Sequence, residues 1–191
     1  MARIYSYSRR GRYVRGDVCP HCSDGEPRSS GLERDIFTVL QLVLGRGERD
    51  VPIPTDHRTR LDMRFRGRRG LLIGIEYDGA YWHAGREDAD LRKTHRLLST
   101  GTAAVVVRIR ESPLLPTAHE DVCVRPGEAP AVIAIAALLH LIHIRAVGDD
   151  VETRVAAFLA AAAVKVHRHE IPCGRCRSTL HRLTLNLDRR V

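Results

Sequence analysis

Apolar residues recur at helical spacing between positions 32 and 43, where Leu32, Ile36, Val39, Leu40 and Val43 fall on one face. That stripe predicts a helix opened at Ser30-Gly-Leu-Glu33 and closed at Gly45. The period then shortens. Arg60 to Arg66 and Leu71 to Glu76 are strand-like runs joined by Gly67-Arg-Arg-Gly70, which predicts a hairpin. Asp88 to Ser99 predicts a charged amphipathic helix stopped by Gly101, and Ala103 to Ile109 an apolar strand that runs into Arg108, Arg110 and Glu111. Residues 112–128 carry Pro113, Pro116, Pro126 and Gly127, and so predict a loop with a short edge strand at Val122–Val124. Two helices follow, at roughly 129–146 and 150–166, and Leu183, Leu185 and Leu187 alternate as in a closing strand.

The order helix, hairpin, helix, strand, helix predicts an α/β fold with a mixed central sheet flanked by helices. At 191 residues, 43% of them hydrophobic, the chain can bury one sizeable core with room for a small appendage. The longest apolar run, Ala131 to Ile144, is too short to cross a bilayer and includes His140 and His143, so it reads as a buried helix. The Arg- and Tyr-rich N-terminus lacks an apolar core of the signal-peptide kind. A cytoplasmic protein without a membrane partner is the expectation.

Charge narrows the partner. The net charge is +8, and of 31 basic residues only Lys93 and Lys165 are lysines. Guanidinium groups bind phosphate bidentately, so an arginine-rich basic chain suits a polyanion such as DNA.

Four of the five cysteines form two C-x-x-C pairs, Cys19/Cys22 and Cys173/Cys176, near opposite ends of the chain. In a reducing compartment that spacing favours a structural Cys₄ Zn²⁺ site over disulfides. The expected organisation is half of a zinc ribbon in residues 1–28, beginning as a β-ribbon and knuckle, a core in 29–166, and the other half of the ribbon in 167–191. His21, His167 and His169 are candidate substitute ligands, and Cys123 reads as a packed or loop thiol with no role.

The candidate chemistry gathers at Ile73-Gly-Ile-Glu-Tyr-Asp-Gly-Ala-Tyr-Trp-His83. Acid at the end of an apolar strand is costly unless it is paired or holds a metal. Asp62 on the first hairpin strand and Glu76 on the second can supply hard oxygen ligands to Mg²⁺ or Mn²⁺ for phosphodiester hydrolysis. A plain four-residue loop at Gly67–Gly70 would place Asp62 opposite Ile75 and turn Glu76 to the other face. One extra loop residue, or one bulge, would place Asp62 opposite Glu76. The metal reading needs this second register.

The segment from Asp62 through Glu76-Tyr-Asp78 resembles the PD-(D/E)XK nuclease superfamily, in which an Asp on one strand and an E-x-K on the next hold Mg²⁺. Here Asp78 stands at the lysine position. Residues 73–111 resemble the branch of the very short patch repair endonucleases, which share a signature matched by Gly79-Ala-Tyr81-Trp82-His83 and carry a structural zinc. The resemblance spans roughly residues 30–115 and implies a restriction-endonuclease-like fold and a Mg²⁺-dependent endodeoxyribonuclease.

It further implies that Asp62, Glu76 and the Tyr77 carbonyl hold the metal, and that His83 orients or deprotonates the attacking water. Asp78 would be a further ligand or fix the tautomer of His83, and Glu33 would reach the ion through water. Tyr81 and Trp82 would stack on bases, with Arg92, Lys93, Arg96 and Arg110 on phosphates. Structural readings stand beside these. Ser30 and Glu33 form a capping box, Asp78-Gly79 is a common turn pair, Tyr81 and Trp82 can be packing residues, and the helix cations can be a solvated face. An inactive zinc-ribbon DNA-binding protein, or a strand-cleaving subunit of a larger DNA repair or transposition complex, remains open. So does a homodimer.

Overall fold

A computed structural model describes residues 3–7, 13–17, 31–54, 56–161 and 166–188. The helical stripe becomes α1, Gly31–Leu44, which buries Ile36, Phe37, Leu40, Val43 and Leu44. Gly45 ends it at φ +87°, a conformation glycine adopts without a Cβ clash.

Five strands build the central sheet in the order β3-β4-β5-β6-β7. These are β3 (Glu48–Ile53), β4 (Asp56–Arg66), β5 (Leu72–Asp78), β6 (Val105–Glu111) and β7 (Val122–Val124). The first three pair antiparallel; β6 joins β5, and β7 joins β6, in parallel. The parallel step needs a crossover, and α3 (Glu87–Ser99) supplies it after a single turn of helix, α2 (Ala80–His83). Two further strands, β1 (Arg3–Tyr7) and β2 (Tyr13–Asp17), form a separate antiparallel ribbon, as the N-terminal pattern predicts. The α/β class and the mixed, helix-flanked sheet are therefore present.

One face of the sheet carries the main core. Met63, Phe65, Ile73, Ile75, Val107 and Ile109 pack there with α1 and with α4 (Pro130–His143). Every residue of α4 from Val132 to Leu141 is buried, so the Ala131–Ile144 run is an interior helix. Helices α5 (Asp149–Ala161) and α6 (Gly174–Asp188) pack behind it. A smaller cluster of Val51, Ile53, Leu61, Leu97, Ala103 and Val106 seats α3 on the opposite face. No helix among the described residues is long and apolar enough to cross a membrane.

Two elements differ from expectation. The alternating leucines near the C-terminus belong to α6, not to a closing strand. Cys176, Leu180 and Leu183 are buried at helical spacing while Leu185 is 43% exposed, so the 3.6-residue period wins over the local alternation. Strand β3 was unforeseen because Glu48, Arg49, Asp50 and Pro52 interrupt any apolar pattern. At the sheet edge Pro52 is tolerated, and the register shifts between Pro52 and Ile53.

The hairpin takes the longer-loop register. Arg66 pairs with Leu72 and Met63 with Ile75, so the turn contains residues 67–71. A 3₁₀ turn at Arg68–Gly70 supplies the extra residue, closed by Gly67 N–H donating to Leu71 O at 2.7 Å.

Strands β3 and β4 also turn over near the site. Arg49 lies 5.6 Å from the Phe37 ring, on the α1 side, while Val51 belongs to the α3-side cluster. Met63 and Leu61 are divided in the same way. A regular strand keeps residues i and i+2 on one face, so β3 reverses at Asp50, where φ is +53°, and β4 reverses at Asp62. The reversal leaves Asp62 outside the regular ladder and free to bond sideways.

Candidate functional site

Asp62 and Glu76 meet. The Asp62 N–H donates to Glu76 Oε1 at 3.3 Å, and the Tyr77 N–H donates to Asp62 Oδ2 at 2.9 Å. The Asp62 carboxylate thus takes the place of a backbone acceptor at the end of the β4–β5 ladder. Lys93, one turn before Leu97 on α3, directs its ammonium at the same pair: Nζ bonds to Glu76 Oε2 and stands 3.8 Å from Asp62 Oδ1.

Burial sets the electrostatics. Desolvation, with the neighbouring Asp62 charge, pushes the Glu76 carboxyl up to about 8, and desolvation also raises Asp62. Burial opposes charge on Lys93, but Glu76 and Asp62 outweigh it, so the ammonium is held above its ordinary range. One ammonium facing two carboxylates leaves an acid unmatched.

A second cluster adjoins the first. Asp78, wholly buried, accepts 2.7 Å bonds from Arg108 Nε and Nη2 and a 2.8 Å bond from Arg110 Nη1. Arg110 Nη1 also reaches Asp90 Oδ2 at 3.3 Å, and Arg108 Nη1 reaches Thr94 Oγ1 at 3.1 Å. Arg108 Nη2 lies 3.7 Å from Glu76 Oε2, linking the two clusters. Desolvation disfavours the Arg108 charge, yet Asp78, Glu76 and Asp90 raise its pKa further above the ordinary value. His83 Nδ1 lies 2.9 Å from Asp90 Oδ1 and 3.5 Å from Asp78 Oδ1.

Asp78, His83 and Asp90 present ligand atoms within 4.8 Å of one another, so this group could hold a metal ion. Arg108 and Arg110 already balance its two carboxylates. Charge is less fully balanced at Asp62 and Glu76.

Several sequence expectations change here. Asp78 is not an exposed turn residue: it is buried and anchors two guanidinium groups, beside its place in the group that could hold a metal ion. The partner that fixes the His83 ring is Asp90, which sequence reading missed because a helical Asp in a charged segment looks solvated. Arg110 is fully buried, so it is not a DNA contact: two carboxylates hold it inside. Its Nε and Nη2 atoms are buried without hydrogen-bond partners among the described residues. Lys93 turns inward to the acids instead of outward to phosphate, because the α3 crossover sets it over β5. Arg96 pairs with Asp56 and bonds to Thr59, while Arg92 is exposed.

The aromatic pair is not core. Tyr81 is 83% and Trp82 62% exposed, in a T-shaped contact with centroids 4.9 Å apart. Glu111 Oε2 accepts the Ala80 N–H at 2.9 Å and so ties their short helix to the end of β6. Glu33 lies half-buried in the first turn of α1.

Of the predicted zinc ligands, Cys173 and Cys176 stand at the start of α6, while Cys19 and Cys22, like Ser30, lie outside the described residues. Cys176 is buried with Sγ 3.7 Å from His140 Nδ1, and burial pushes its thiol up to about 12. His140 itself is lowered by burial, and His143 lies beside Arg175. His167 and His169 stack at 5.5 Å.

Comparison of the chain with protein-family models, with curated proteins and with solved structures gave no match.

Proposed function

We propose that this protein is a divalent-metal-dependent endodeoxyribonuclease of the PD-(D/E)XK kind, with Asp62, Glu76 and Lys93 as its cleaving centre. The observation that carries the reading is the convergence, at the end of β5, of a buried carboxylate, a partly buried one and an ammonium. Asp78 occupies the strand position where such nucleases have lysine, and Lys93 brings an ammonium to the same acids from α3.

The residues fit a hard cation. Acids whose pKa values are raised by burial and mutual repulsion are relieved by a proton or by a metal. Asp62, Glu76 and the Tyr77 carbonyl would hold Mg²⁺ or Mn²⁺. When bound, that ion supplies charge neutralisation at the phosphate and lowers the pKa of water.

The chain does the rest. Lys93, whose side chain is 26% exposed, can exchange Glu76 for a phosphoryl oxygen and stabilise the charge that develops there. With its Nδ1–H directed at Asp90, His83 keeps Nε2 as a proton acceptor. In the reaction a water oxygen bonds to phosphorus, the P–O bond to the leaving oxygen breaks, and that oxygen takes up a proton. Tyr81 and Trp82 offer exposed rings on which bases can stack. Cys173 and Cys176 would join Cys19 and Cys22 on a structural Zn²⁺.

A second reading, a DNA-binding protein with a silent core, is favoured by the Lys93–Glu76 bond, which occupies one of the acids an ion needs. Supercoiled plasmid incubated with Mg²⁺ or Mn²⁺ separates the two. Nicked or linear product that disappears in Asp62→Ala and Glu76→Ala, with DNA binding retained, supports the nuclease. Retarded bands without nicks sink it.

A further inference from the structure

The β4–β5 turn, remote from the acidic cluster, carries a different signal. Arg68, Arg69 and Arg145, with Leu71, line an open concavity of about 310 Å³. Two of these three arginines have left-handed backbones, Arg69 at φ +53° and Arg145 at φ +58°. A side-chain-bearing residue rarely adopts that region, and strained positions gather where a protein binds something.

The strain is held in place by a close junction between two loops. Arg68 N–H donates to Ala146 O at 3.0 Å, which locks the turn onto the segment after α4. A Cβ on Gly67 would lie 2.3 Å from that same carbonyl, so only glycine allows the approach. All three arginines are exposed, and among the described residues none has a side-chain hydrogen bond or ion pair. Three unpaired guanidinium groups therefore converge on one concavity despite two unfavourable backbones.

We infer that Arg68, Arg69 and Arg145 form a phosphate-binding clamp for the nucleic-acid backbone, separate from the acidic cluster. Guanidinium forks match phosphate oxygens, and the chain's net charge of +8 favours a polyanion over an isolated anion. The clamp sits at the turn of the hairpin whose other end carries Asp62 and Glu76. Four steps along the strand separate Arg66 from Asp62, roughly 13 Å at about 3.3 Å per residue. A duplex laid along the hairpin, with one charge per roughly 1.7 Å of axis, spans both places. The assignment to nucleic acid rests on the nuclease reading for its partner, but the clamp itself does not.

The test is fluorescence anisotropy of a labelled DNA duplex across a salt series, in buffer without divalent ions so that cleavage plays no part. Two variants are read: the triple Arg68→Gln/Arg69→Gln/Arg145→Gln, and the double Arg69→Gly/Arg145→Gly. The glycine double removes two guanidinium groups where glycine suits the backbone, so its melting temperature should stay near wild type.

Affinity should fall at least tenfold in both variants, and the slope of log Kd against log salt should lessen by about 0.9 for each phosphate no longer neutralised. An unchanged Kd and slope in the glycine double overturns the clamp. Inorganic phosphate at matched ionic strength gives a further arm. If phosphate raises the melting temperature of wild type alone while both proteins bind the duplex equally, the site takes small oxyanions and the nucleic-acid assignment falls. If wild type fails to nick plasmid while the variants still lose affinity, the nuclease reading fails and the clamp stands.

Discussion

Lys93 and Glu76 meet across the gap between α3 and β5, the ammonium bonded to Oε2 of a carboxylate that is almost wholly buried. An acid alone on β5 would be an uncompensated charge in the interior. The crossover helix brings its partner from seventeen residues further along the chain.

Replacing Lys93 with methionine should therefore destabilise the fold. Loss of one member of a fully buried ion pair costs about 3–5 kcal/mol, and partial exposure of Lys93 reduces this to about 1–3 kcal/mol. Chemical denaturation at about pH 9, above the folded Glu76 value of about 8, measures it. Because protonated Glu76 needs no cation, the loss should shrink at pH 5, and equal losses at both would contradict the pairing.

Stability should fall as the pH rises from about 5 to 8. Glu76 has its folded pKa raised to about 8 from 4.5, so the folded protein holds a proton that the unfolded chain releases. That contribution is complete below the unfolded value and is lost as pH climbs through the folded one, with a slope of at most about 1.4 kcal/mol per pH unit. Asp62 is raised too and acts in the same direction. Thermal melts across this range should flatten in Glu76→Gln. In wild type at pH 8, Mg²⁺ should restore some of the lost stability, since the ion replaces the proton.

Arg108→Met should cost about 3–5 kcal/mol, because Asp78 loses two bonds of 2.7 Å in a fully buried setting. Arg108→Lys should rescue little, since a point ammonium cannot reproduce the fork. A paired Asp78→Asn/Arg108→Met variant should be more stable than Arg108→Met alone; denaturant midpoints that rank the other way would argue against the coupling.

Trp82→Ala should leave the melting temperature unchanged and weaken DNA binding by about 1–3 kcal/mol if a base stacks on the indole. Equal affinity for single-stranded oligonucleotides before and after the substitution would remove Trp82 from the interface.

Gly67→Ala should destabilise by about 1–3 kcal/mol, because the new methyl meets the Ala146 carbonyl at 2.3 Å and the Ile73 side chain at 2.5 Å. A differential scanning calorimetry trace matching wild type would mean that the turn and the α4–α5 segment can separate freely.

Local pattern determined much of this protein. The stripe from Leu32 to Val43, the hairpin, the α3 amphipathicity and the apolar β6 run each predict their element from side-chain period alone, because burying one face requires that spacing. The pairing of Asp62 with Glu76 was legible only as a choice between two registers, and the five-residue turn decided it. Tertiary structure alone assigned the partners. Lys93 and Arg110 look alike in sequence as basic residues near the motif, yet one faces Glu76 and the other is sealed between Asp78 and Asp90. A charge's role depends on which opposite charge the fold carries to it through space, and periodicity along the chain holds no record of that distance.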